Sequence, residues 1–309
     1  MTRSAQPAQY ALLIMLAAIW GSSFLLIKVA VAEIPPLTVV SGRLLLGAAA
    51  LYLFTLATGR YLPADRRCWT MFAVIAVVGN VVPFALISWG ELYIDSGLAA
   101  ILMATMPLCT VLLAHAFTSD ERLSARKSVG ILFGFAGVVV LIGPEAFDRL
   151  GSETLAQLAV ALAACCYGIS GVYARRLKGL PASVTGAGVL VCAAILAVPF
   201  SLVADRPWRL TPSAEALLAL LTLGLLCTAA AYMILFHLLA AVGATFVALN
   251  NYLVPVFGVF WGATILSEEV SLSALAALAL ILAGIGLTQM QRATRPVTAE
   301  PEPKPPTRE

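Results

Sequence analysis

Residues 97–121, GLAAILMATMPLCTVLLAHAFTSDE, carry the plan of the chain, because residues 243–269, GATFVALNNYLVPVFGVFWGATILSEE, repeat it. Each stretch opens on a glycine and small residues and holds a proline inside an apolar run, Pro107 and Pro255. Each closes fourteen residues beyond that proline on paired acids, Asp120-Glu121 and Glu268-Glu269. The echo extends outward: an offset of 147 carries Trp20-Gly21-Ser22-Ser23 onto Tyr167-Gly168-Ile169-Ser170, Lys28 onto Arg175, and Ala136-Gly137 onto Ala283-Gly284. Self-similarity of this kind means two copies of one structural unit.

Composition decides the solvent. The 309 residues are 61% hydrophobic and 11% charged, whereas soluble domains carry about 25% charged residues. Apolar runs of about 20 residues, the length an α-helix needs to cross a hydrocarbon core, are separated by short polar bursts. They lack the period-two alternation of a membrane β-barrel. Ten spans are expected, at 10–31, 37–57, 69–92, 96–117, 126–143, 154–175, 183–203, 214–238, 242–264 and 271–290. Ala30-Val31-Ala32 resembles a leader cleavage site, but the apolar stretch before it is too long for a leader core, so it reads as a retained first helix. Cys109, Cys165, Cys166, Cys192 and Cys227 lie inside apolar runs and Cys68 near a loop; they read as small hydrophobes with no disulfide framework or metal spacing.

Orientation follows from Lys and Arg, which cytoplasmic loops carry in excess. With the N-terminus inside, fourteen of these residues fall in cytoplasmic segments, among them Arg3, Arg60, Arg66, Arg122, Lys127, Arg175 and Arg292, against Arg149, Arg206 and Arg209 outside. Both termini are therefore expected in the cytoplasm. Ten spans in two copies gives an odd unit of five, so the second must enter upside down. The fold class expected is all-α integral membrane, ten transmembrane helices as two inverted five-helix repeats. Residues 1–9 form a cytoplasmic N-terminus, 10–143 the first repeat (helices 1–5), 154–290 the second (helices 6–10) and 291–309 a proline-rich disordered tail. Inverted repeats are a hallmark of secondary transporters, which hold solute near the midplane between the halves.

Polar groups at membrane depth are costly and tend to face a partner or a wet cavity. Trp20, Asn80, Pro107, Tyr167, Asn250, Asn251 and Pro255 fall near the midpoints of their spans. On helix 1, Trp20, Ser23, Phe24 and Lys28 share a face; on helix 3, Asn80, Pro83, Phe84, Ile87 and Glu91 do. The two stripes end in opposite charges, which reads either as an outer electrostatic gate or as two snorkelling side chains. Arg43 should have a carboxylate or carbonyl partner, Glu91 first and Glu33 second. Asn250 and Asn251 cannot share a face, so one is expected on the cavity and the other on a neighbouring helix. Tyr232 joins the wall because it lies one turn past Thr228. Trp89 and Tyr93 read as belt residues, His115 and His237 as interfacial anchors. Gly130-x-x-x-Gly134 and Ala283-Gly284-x-Gly286 read as packing seams.

Together, Trp20-Gly21-Ser22-Ser23-Phe24 with Lys28, the turn prolines Pro35-Pro36, Arg43, Pro107, Glu121, Gly130, Ala136-Gly137, Pro255, Glu269 and Ala283-Gly284 resemble the drug/metabolite transporter superfamily, in its EamA-like branch of ten-helix solute exporters. The resemblance covers about residues 10–290. It implies a basket of helices whose central cavity is walled mainly by helices 1, 3, 4, 6, 8 and 9, with 5 and 10 peripheral. It also implies export of small metabolites, often amino acids or related compounds. Glu91 and the absence from helix 7 of any counterpart to Arg43 depart from the pattern.

The function expected is secondary transport of a small amphipathic metabolite by alternating access. The candidate substrate wall is Trp20, Asn80, Tyr167, Tyr232, Asn250 and Asn251, with Lys28, Arg43 and Glu91 as gate or coupling residues. No catalytic residue, metal or cofactor is expected. The partners are a small-molecule solute and the lipid bilayer, not nucleic acid, and a homodimer stays open. A passive channel is the alternative; an intramembrane enzyme would need clustered ligands or a base beside a nucleophile. Without nucleotide-binding motifs the energy must come from proton antiport, exchange or facilitated diffusion, and Glu91 is the acid within a span best placed to titrate. The location expected is the cytoplasmic membrane.

Overall fold

The computed structural model describes residues 6–117, 123–143, 151–177 and 179–289. Arg3, Asp120-Glu121, Arg122, Arg149, Lys178 and the expected tail lie outside these residues. Every described regular element is helical. The membrane-length helices are α1 Pro7–Val31, α2 Pro36–Ala57, α3 Arg66–Gly90, α4 Ser96–Phe117, α5 Ala125–Ile142, α6 Ser152–Ala174 and α7 Ala182–Ala204. Ala214–Val247 then runs as one 34-residue rod, but Gly243 inside it has φ 81 and ψ 170, outside the helical region. That glycine divides the rod into α8 (214–242) and the start of α9 (244–265), with α10 Leu272–Gln289 after it. The chain is thus a multi-pass, all-helical integral membrane protein.

The ends of these helices follow local chemistry. Pro7 and Pro36 occupy first-turn positions, where a missing N–H costs nothing. Asp65, Ser124 and Ser213 accept from the amides of Arg67, Lys127 and Ala216, capping α3, α5 and α8. The cap at Asp65 moves the start of α3 back to Arg66, three residues before the expected boundary. Gly143 ends α5 with φ 76, a conformation that glycine adopts without a Cβ penalty.

Four of the ten helices are interrupted near the middle of the bundle. In α3 the residues Val77–Val81, and in α8 the residues Leu225–Ala230, form π-turns. α4 breaks at Ala104–Thr105 and α9 at Ala248–Leu249. Around these jointed rods the other helices pack in pairs. α2 lies along α7, α5 along α10, α1 against α8 and α9, and α6 against α3 and α4. Side chains tie the α2–α7 pair at both ends: Thr38 Oγ1 donates to Asp205 Oδ2 at 2.8 Å, and Arg60 donates to Ser183 Oγ at 2.8 Å.

The α5–α10 seam is closed by glycines. A Cβ on Gly130 would meet the Gly284 carbonyl oxygen at 2.6 Å, and one on Gly137 the Ala277 oxygen at 2.8 Å. The backbone of Gly134 lies in the same seam, its N 2.9 Å from where a Cβ on Gly284 would stand, although its own Cβ direction points at Leu108; Gly286 has only the Tyr252 hydroxyl at 4.0 Å. In lipid such close approach is what holds helices together. Gly130→Leu should therefore cost about 1–3 kcal/mol by overpacking, read as a lower thermal midpoint in detergent. Gly171→Ala, where a Cβ would meet nothing within 4 Å, should leave the midpoint unchanged or raise it.

Candidate functional site

The interruptions surround a cavity of about 300 Å³. Its wall comes from α1 (Trp20, Ser23, Phe24, Ile27), α3 (Phe84, Ile87), α4 (Met103, Met106, Pro107), α6 (Tyr167), α8 (Thr228, Tyr232) and α9 (Asn250, Asn251, Val254, Pro255), with Arg43 reaching in from α2. α5 and α10 contribute nothing among the described lining residues, as the resemblance implied. Proline removes the amide that would bond four residues back. At Pro107 and Pro255 the carbonyls so affected belong to Met103 and Asn251, both on the wall.

Five of the six expected wall residues, Trp20, Tyr167, Tyr232, Asn250 and Asn251, line this cavity. Asn80 does not. It is 2% exposed inside the π-turn of α3, and its Oδ1 accepts from the Tyr232 hydroxyl at 3.5 Å. The extra residue of a π-turn rotates whatever lies on one side of it relative to the other, so the stripe drawn at α-helical spacing through Phe84 and Ile87 fails at Asn80. Asn250 and Asn251 both reach the cavity, contrary to the expected division. They follow the break at Ala248–Leu249, where Asn251 N–H bonds the Ala248 carbonyl in a tight i, i−3 turn, and successive residues of such an end straddle the opening.

Arg43 is 7% exposed and pairs with neither expected acid. Its Nε donates to Thr228 Oγ1 at 2.9 Å, and its guanidinium lies over the Phe84 ring, 4.0 Å from the centroid. Glu33 is elsewhere: its carboxylate accepts from the Ser213 hydroxyl and amide, each at 2.7 Å. Those two bonds hold the carboxyl below its usual range. Thr228 is the residue that sequence reasoning passed over. Its hydroxyl accepts from Arg43 and donates to the Leu223 carbonyl at 2.8 Å, so it serves the π-turn and the charge at once. The signal was a polar residue one turn before Tyr232.

Lys28 and Glu91 do not form the expected charge pair. The Lys28 ammonium donates to the backbone carbonyls of Glu91 and Ile94, at 2.8 and 2.7 Å, which satisfies the C-terminal end of α3. The Glu91 carboxylate is fully buried with neither oxygen hydrogen-bonded. Neither residue lines the cavity. Inside the cavity wall Ser23 Oγ and Asn250 Oδ1 are likewise buried without a partner. Tyr167 stands 6.4 Å from Phe84, ring centroid to ring centroid, and Tyr232 stacks on Phe236 at 5.7 Å. The result is an aromatic chamber with one cation and two orphaned polar atoms.

A membrane-embedded, helix-walled chamber of this form belongs to the class of multi-pass solute transporters. The EamA-like transporter family matches the chain twice, over residues 8–143 and 154–290, and the chain belongs to that family. It is 26% identical over 272 residues to the uncharacterized transporter YoaV of Bacillus subtilis, covering 86% of this chain and 91% of that protein. It is 26% identical over 254 residues to the uncharacterized inner membrane transporter YedA of Escherichia coli K12, covering 82% and 81%. A solved crystal structure superposes with a TM-score of 0.67 at 20% identity, over 93% of this chain and 99% of the other. The protein is thus an EamA-family transporter, and the naming of its relatives as transporters fits a non-enzyme.

Thr228→Val keeps the shape and removes the hydroxyl. It should destabilise the protein by about 1–3 kcal/mol, the range for a buried polar group left without its partner. Thr228→Ser should restore most of that in the same thermal unfolding measurement.

Proposed function

We propose that this protein is a secondary transporter that exports a small amphipathic metabolite, such as an amino acid or related compound, by alternating access through the central cavity. The observation that carries the reading is the chemistry of that cavity. Arg43 is the single charged residue among the described lining residues, so an anionic group of the solute belongs there. Trp20, Phe24, Phe84, Tyr167 and Tyr232 would enclose an apolar body, and Ser23 and Asn250 add polar side chains to the same wall. The volume is at the lower bound of ordinary small-molecule sites, which begin at about 300 Å³.

Two inverted repeats are part of the same proposal. The π-turns of α3 and α8 correspond, since an offset of 148 takes Asn80 onto Thr228. α4 and α9 both break ahead of a proline. The packing of α1 on α8 and α9 is answered by that of α6 on α3 and α4. Both termini are assigned to the cytoplasm on the Lys and Arg bias, and the cytoplasmic membrane on the printed name of YedA. Glu91 is proposed as the residue that couples transport to a proton gradient, because a fully buried carboxyl without a hydrogen-bond partner is a site where ionisation has large consequences.

In proteoliposomes, labelled neutral amino acids with large apolar side chains should show saturable uptake and counterflow. Arg43→Gln should weaken transport about 10- to 100-fold, the value of one hydrogen bond to a charged group. Trp20→Ala should raise the half-saturating concentration. Normal transport by both variants would remove the cavity from the mechanism, and linear flux without counterflow would favour a channel. Glu91→Gln should abolish the response to an imposed pH gradient; an unchanged response would take Glu91 out of the coupling.

A further inference from the structure

Arg43 lies on the buried face of the unbroken α2 together with Val39, Val40, Leu44 and Gly47. Two glycines let α2 and α8 close around it: a Cβ on Gly47 would meet Thr228 Cγ2 at 2.7 Å, and one on Gly224 the Arg43 carbonyl oxygen at 3.3 Å. That contact sets Thr228 against the Arg43 Nε, while the Phe84 ring covers one face of the guanidinium. What the side chain leaves free is its far edge. Among the described residues no hydrogen bond or ion pair takes Nη1 or Nη2, and neither nitrogen is sealed away as Ser23 Oγ and Asn250 Oδ1 are. A fixed fork of N–H donors on a cavity wall matches the two oxygens of a carboxylate.

The rest of the wall limits what else the solute carries. No second cation lies among the described lining residues, so a phosphate or other dianion would bring more charge than Arg43 answers. No Asp or Glu lies among them either, and Glu91 is buried outside the wall. The ammonium of an α-amino acid sits on the carbon next to its carboxylate, so a carboxylate on Arg43 brings the ammonium beside the guanidinium. Like charges repel more strongly there than in water, and no acid on the wall offsets the cost of desolvating the ammonium. The carbonyls of Met103 and Asn251 offer its N–H groups partners but no negative charge. A 2-oxo oxygen on the same carbon is instead an acceptor, turned toward the same donors.

Resting on the reading of this chamber as the solute site, we propose that the preferred solute is an apolar 2-oxo acid, its carboxylate on Arg43 Nη1 and Nη2. The α-ammonium of the corresponding amino acid weakens binding rather than supporting it.

Compounds built on one branched skeleton test this, by calorimetric titration into the purified full chain in detergent at neutral pH. 4-Methyl-2-oxopentanoate should bind saturably, leucine and 3-methylbutyl phosphate each about tenfold or more weaker, and 3-methylbutylamine not at all. Arg43→Gln should weaken the oxo acid about tenfold or more, as loss of a hydrogen bond to a charged group does, and bring leucine to within about threefold of it. A thermal midpoint checks that the variant folds, and the ranking on the unsubstituted protein decides the matter even where it does not. Leucine or the phosphate binding as tightly as the oxo acid, with Arg43→Gln weakening both, would overturn the oxo-acid preference while leaving the chamber as the solute site. Affinities unchanged by Arg43→Gln, or no binding by any of these compounds, would overturn the chamber reading as well.

Discussion

The structure depends on one constraint: at membrane depth every backbone N–H and C=O must find its partner inside the protein. Unbroken helices meet it automatically, and α2 and α5 are of that kind. Four of the helices around the central chamber, α3, α4, α8 and α9, do not, and in α8 and α4 a side chain hydrogen-bonds a carbonyl at the interruption. The Thr228 hydroxyl serves the Leu223 carbonyl within the π-turn of α8, and Thr105 serves Leu102 at the break in α4. At the helix ends Lys28 takes the last carbonyls of α3 and Glu268 the first amides of α4.

Charges obey the same logic. Lys28, Glu33 and Glu268 sit at helix termini, where partial charges on the backbone are complementary to them. Arg43 is the exception, a cation carried inward on a straight helix. It is tolerated because its Nε has Thr228 and its planar face has the Phe84 ring, an arrangement in which a guanidinium outperforms an ammonium. Among the described residues no carboxylate hydrogen-bonds to Arg43 in place of Thr228, and Arg43 is the one charged side chain on the described chamber wall.

How much of this could be read from the sequence follows from what the sequence encodes locally. Helix number, length and the division of residues 214–264 into two spans were legible because hydrocarbon imposes about 20 apolar residues per span. The aromatic wall was legible because Trp20 and Tyr167 occupy equivalent places in the two halves. What failed depended on helical phase and on long-range pairing. Asn80 was placed on the wall because the π-turn beneath it was invisible to an α-helical count. Arg43 was assigned to Glu91 or Glu33 because opposite charge is the obvious partner, yet the position of Phe84 and the competing claim of Ser213 on Glu33 are facts of packing. Lys28 reached the right loop but the wrong atoms, taking carbonyls that every residue carries.

The distribution of joints gives the proposed transport cycle a physical basis. The α5–α10 seam has backbone in contact with backbone at Gly130 and Gly284, and α2–α7 is tied at both ends by Thr38–Asp205 and Arg60–Ser183. Shifting either pair would break contacts that close packing makes all-or-none. α3, α4, α8 and α9 already lack regular helical bonding where they pass the chamber, so a change of angle there disturbs the fewest backbone hydrogen bonds. Side chains such as Thr228 and Asn80 sit at those joints and also contact Arg43 and Tyr232. A solute that moves Arg43 or Tyr232 therefore acts directly on the two π-turns, which links occupancy of the chamber to the segments best able to bend.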